Sequence, residues 1–134
     1  FLPVVAGVGG NGGIQTLTVI TRAIALGEIE FSSGLRAVGK EMWVGLVVGA
    51  TAGLISGGIA YLLHGNLYLG LVLLLAMMLT MVTASLVGAA VPLILKALRL
   101  DPALGSGILV TFAADALGFF SFLGIATLLL GQLV

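Results

Sequence analysis

From Leu104 to Leu129 the chain is nearly continuous apolar sequence, broken by one ionisable residue, Asp115. About 20 apolar residues at a rise of about 1.5 Å cross a hydrocarbon core of about 30 Å, so this stretch predicts a membrane-spanning helix. A carboxylate near the middle of such a helix costs about 2.5–3.5 kcal/mol on insertion scales. It therefore needs a partner, a proton, water or a cation. Asp115 is the residue whose presence most needs a reason.

The rest of the chain has the same character. Hydrophobic residues make up 60% of the 134 and charged residues only 7%, against about 25% charged in a soluble domain. Such a chain cannot cover a water-facing surface. The predicted fold is an all-α integral membrane protein, a helical bundle with four transmembrane spans over about 1–26, 42–63, 67–95 and 104–129. Five Lys/Arg against five Asp/Glu argue against a nucleic-acid partner. The absence of cysteine removes disulfides and thiolate metal sites. Phe1-Leu2-Pro3-Val4 opens inside an apolar segment with no initiator Met, which predicts a further helix upstream.

The first span holds Gly7, Gly9, Gly10, Gly12 and Gly13, a density that would weaken a helix in water. Within a membrane it is tolerated where backbone is buried in protein or lines a wet cavity. Asn11, Gln15, Thr18 and Arg22 recur at spacings of four, three and four, one stripe on a helical period. The stripe suits either interhelical hydrogen bonding or a pore lining. The connector over 27–41 carries Glu28, Glu30, Arg36, Lys40 and Glu41. Its acids could hold a cation at a pore mouth or, more simply, pair with Arg36 and Lys40 on a solvated face. Ser32-Ser33 ahead of Leu35, Val38 and Met42 predicts a short interfacial helix capped at a serine.

Gly45, Gly49, Gly53 and Gly57 follow at an unbroken spacing of four, a smooth groove where a second helix can approach. His64-Gly65-Asn66 reads as a tight turn, and the lone His64 lacks companions for a metal site. Met77, Met78 and Met81 suit gap filling, and Pro92 predicts a kink or an end to the third span. Lys96, Arg99 and Asp101 mark the connector over 96–103, with Pro102 expected near the start of the last helix. On that helix Thr111, Asp115 and Gly118 fall on one face, and Gly118 leaves room beside the acid. Basic residues cluster in the two connectors over 27–41 and 96–103, so the positive-inside rule places both in the cytoplasm and the C-terminus outside, in a plasma (inner) membrane.

No enzyme is indicated. The lone His64 lies far from Asp115, and the glycine-rich stretch lacks the Lys-Ser/Thr ending of a nucleotide loop. Three readings remain: divalent-cation permeation, a proton- or Na+-coupled carrier using Asp115, and a non-transporting membrane assembly subunit.

Four strings, in order along nearly the whole chain, carry a family resemblance. Gly9-Gly10-Asn11-Gly12-Gly13-Ile14-Gln15 resembles the GGNxGxQ motif of the MgtE magnesium channels and transporters. Lys40-Glu41-Met42-Trp43-Val44-Gly45 is similar to that family's KEMxVG, Asp101-Pro102-Ala103 to its DPA, and Thr111 through Gly118 to its T-x3-D-x2-G. The resemblance implies a homodimer with five spans per subunit, the first lacking here, or a pseudo-dimer where a second similar half exists. It implies an ion path between subunits along the helices over 1–26 and 104–129. Mg2+ is then the bound and transported ion, Asp115 its intramembrane acid, and Thr18 and the backbone around Thr111 and Gly118 lie near it. The family's soluble regulatory domains have no counterpart in this sequence. Ile14, Ile108 and Leu117 depart from the Asn, Pro and Thr common in the family. Mg2+ keeps several waters and uses one or two carboxylates. Two Asp115 side chains across a two-fold axis would supply them, with the Asn11/Gln15/Thr18 stripe and carbonyls holding the waters.

Overall fold

A computed structural model describes residues 1–129 and residue 131. Among these the chain forms four helices, α1 (Leu2–Ala25), α2 (Phe31–His64), α3 (Leu67–Ala97) and α4 (Ser106–Leu128). The C-terminal residues expected outside the membrane, 132–134, lie beyond the described residues. Three helices are long and apolar enough to cross a membrane: α2, α3 and α4. Helix α1 has the length, but its glycines and polar stripe dilute its apolar character.

The helices run up and down. The Phe1 and His64 rings meet edge to face at 6.0 Å, placing the start of α1 beside the end of α2. At the opposite end the Lys96 ammonium donates to the Ile29 carbonyl at 2.9 Å, so the two charged connectors share one end of the bundle. Helix α3 is central and packs on α1, α2 and α4, while α1 also packs on α4 and barely touches α2. Val5, Ala60, Leu73, Ala76 and Met77, from three helices, form a core with Phe122 and Ile125 of α4 against it. Outward, Leu62 is 82% exposed, Ile108 79% and Phe120 77%. Apolar surface on this scale is stable in lipid, not in water.

The glycines decide the packing. A Cβ at Gly49 would stand 2.8 Å from the Met77 carbonyl oxygen and 2.9 Å from Met78 Cα, and one at Gly57 2.6 Å from the Gly70 carbonyl oxygen. The spacing of four is thus the seam on which α2 lies against α3. In α1, Gly9 and Gly12 face Thr80 and Met81 of α3, while Gly13 faces Val110 of α4. This buried backbone explains why so glycine-rich a segment stays helical. Met77 and Met81 are buried, as gap fillers would be.

Three local expectations change. No separate interfacial helix precedes the second span: α2 is one helix of 34 residues, because nothing between Ser33 and Met42 breaks it. At about 1.5 Å per residue it exceeds the hydrocarbon core, so its charged end projects from it. Its N-cap is Glu30 rather than a serine, and the Glu30 N–H donates to Ser33 Oγ at 3.1 Å. Of the two outcomes expected at Pro92, a kink or an end, only the end is ruled out: α3 continues to Ala97, and Pro92 is buried among neighbouring helices, where a lost backbone bond is tolerated. Pro102 lies ahead of α4 rather than in its first turn. There the Asp101 carboxylate accepts the Ala103 N–H at 3.0 Å and closes a turn first. The His64-Gly65-Asn66 turn is as expected. Gly65 caps α2 with φ 67°, a conformation glycine adopts without strain. The Asn66 side chain accepts the Tyr68 and Leu69 N–H groups at 2.9 and 3.3 Å.

Thr80 is fully buried, and its hydroxyl has no hydrogen-bond partner among the described residues. Thr18, Thr51, Thr83 and Thr127 instead donate to the carbonyl four residues back. An orphaned buried hydroxyl costs about 1–3 kcal/mol. Thr80→Val keeps the shape and removes that cost, so thermal unfolding in detergent should show a variant at least as stable as wild type, by up to about 2 kcal/mol.

Candidate functional site

Helix α4 carries Thr111 and Asp115 one turn apart, both half-buried. They line a cavity of about 410 Å³ together with Ile14 of α1 and with Gly107, Ile108 and Phe112 of α4. Asp115 is the only charged residue in that lining. Among the described residues its carboxylate has no hydrogen bond or ion pair. Opposite it α1 presents bare backbone: a Cβ at Gly10 would lie 3.4 Å from Asp115 Oδ1 and 4.0 Å from Thr111 Cγ2. An acid in an apolar wall, open on one side and without a counter-charge, sets up a field that favours a cation.

The expected site residues divide into four groups. Asp115 and Thr111 share the cavity. Asn11 and Thr18 are exposed on α1, on the face next to Ile14, and the Thr18 hydroxyl donates to the Ile14 carbonyl at 2.8 Å. Gln15, exposed like them, also lines a smaller cavity toward α2 and α3. Gly118 is buried, and the room it leaves is filled by Thr80 Cγ2, 3.2 Å from where its Cβ would be.

Gly10 is the residue sequence reasoning left without a role. It stands in the glycine-rich string, but only the crossing of α1 over α4 shows that it, rather than Gly9 or Gly12, meets the acid. Among the described residues no three His, Cys, Asp or Glu side chains gather as a metal cluster.

Long apolar helices and glycine seams define a polytopic helical membrane protein, with a lone acid within one span. The chain belongs to the MgtE family, described as divalent cation transporters, which matches residues 2–125. The magnesium transporter MgtE of Thermus thermophilus is 38% identical over 130 residues, 97% of this chain and 29% of that protein. The magnesium transporter MgtE of Bacillus subtilis is 32% identical over 127 residues, 95% of this chain and 28% of that protein. That of Enterococcus faecalis is 31% identical over 134 residues, all of this chain and 30% of that protein. The chain thus spans under a third of the length of the curated relatives it matches.

Proposed function

We propose that this chain is a membrane domain that passes Mg2+ through the bilayer, with Asp115 as the ion-binding acid within the membrane. The observation that carries this reading is Asp115 itself, half-buried, without a counter-charge, and opening onto the cavity between α1 and α4. Family membership and the magnesium transporters among its relatives support the choice of ion. Two chains pair about a two-fold axis so that two Asp115 carboxylates face one path. Each would neutralise one charge of the cation, and the exposed Asn11 and Thr18 and the half-buried Thr111 would hold its waters. Mg2+ dehydrates reluctantly, so it passes with much of its shell in place. α1 completes the span beside α4, and both charged connectors face the cytoplasm of a cell whose plasma membrane holds the protein.

Purified protein in liposomes loaded with a magnesium-sensitive dye tests this. An inward Mg2+ gradient alone should give influx, with no need for a proton or Na+ gradient. Influx that appears only with such a gradient would convert the reading to a coupled carrier. None under any gradient would sink transport by this domain.

A further inference from the structure

A second polar space lies on the other flank of α1. A cavity of about 130 Å³ sits between α1, α2 and α3, and its lining includes Gln15, Thr16, Glu41 and Ser85. That volume holds several waters. Thr16 is 5% exposed and Ser85 1%. Their hydroxyls lie 3.5 Å apart, well beyond the 2.5–3.0 Å of a good O–H···O bond. Two nearly buried hydroxyls beside open space are thus left poorly satisfied. Glu41 is half-buried and is the only charged residue of the lining. Among the described residues it has no hydrogen bond or ion pair.

An outer cavity of about 350 Å³ shares Glu41 and Val19 with the inner one and is lined further by Glu28, Ser33, Arg36 and Lys40. There two acids offset two bases. Inward of Glu41 no base remains, only one carboxylate, one amide and two hydroxyls on three helices. Hard oxygen donors around a carboxylate that no base contacts among the described residues suit a hard cation.

We propose that Glu41, Gln15, Thr16 and Ser85 form a second cation site, distinct from Asp115, that takes a partly hydrated divalent ion entering from the connector end. The proposal rests on the divalent-cation reading above. An ion there bridges α1 to α2, two helices that otherwise barely touch, and so steadies the helix whose Gly10 backs Asp115.

Mn2+ serves as a paramagnetic probe, its binding followed by electron paramagnetic resonance in detergent-purified protein. Asp115→Asn should keep one class of Mn2+ site, and the double variant Glu41→Gln/Asp115→Asn should lose it. Ser85→Ala in the Asp115→Asn background should weaken that site about 10–100-fold, the usual cost of removing a supporting ligand group. Loss of all binding in Asp115→Asn alone would overturn the second site and leave the Asp115 reading standing. Binding unchanged by Glu41→Gln, or by Ser85→Ala should the first variant fail to fold, would overturn it too. Retained Mn2+ binding through Glu41 in a protein that passes no Mg2+ in liposomes would uphold the site and refute the transport reading.

Discussion

Asp115→Asn should abolish Mg2+ influx into liposomes and remove the rise in melting temperature that Mg2+ gives through this site. A ligand that binds only the folded state adds about 2.7 kcal/mol at one hundred times its dissociation constant. The substitution keeps the shape of the side chain and fits the same space beside the bare backbone of Gly10, so the fold survives. What it removes is charge. At an effective dielectric of about 20, a unit pair about 4 Å apart is worth about 4 kcal/mol, and the cation carries two charges. Even after the cost of partial dehydration, the loss exceeds tenfold in affinity. Melting curves against Mg2+ concentration, for wild type and variant at equal ionic strength, separate this from general salt effects. Wild-type influx in the variant would end the assignment of Asp115.

The second large effect is on stability. Gly49→Ala should destabilise the bundle by about 1–3 kcal/mol or more, as overpacking of a tight interior does. The new methyl would meet the Met77 carbonyl oxygen at 2.8 Å and Met78 Cα at 2.9 Å, and backbone atoms cannot turn aside as a side-chain end can. Relief requires α2 to move off α3 along the whole seam of Gly45, Gly49, Gly53 and Gly57. Gly58 provides the control on the same helix. It is exposed and a Cβ there meets nothing within 4 Å, so Gly58→Ala should be neutral or gain up to about 1 kcal/mol from helix propensity. Thermal unfolding of both variants in one detergent makes the comparison. Equal stability would mean that the seam is looser than it stands here.

The apolar helices were legible because length and hydropathy fix a span almost alone. Helix boundaries were legible where the sequence carries a stop, as at Gly65 and Asn66, and not where it carries none, as between Ser33 and Met42. The acid was legible for the same reason as the spans: a carboxylate in such a setting has few neutral explanations. The site around it was only half legible. Periodicity put Thr111, Asp115 and Gly118 on one face of α4, but it could not say that Thr80 occupies the room at Gly118 or that Gly10 backs the acid.

The sequence by itself determined the helices, the turn between α2 and α3, the glycine seam and the presence of one intramembrane acid, all properties of a few adjacent residues and a fixed helical period. The tertiary structure alone decided which glycine meets which neighbour, and that Gln15, exposed like Asn11, also lines a cavity toward α2 and α3. It also brought Thr16 to Ser85 and Gln15 to the lining that holds Glu41, pairs set by helix crossings. A helical period assigns a residue to a face; only the packing of one helix on another assigns that face a partner.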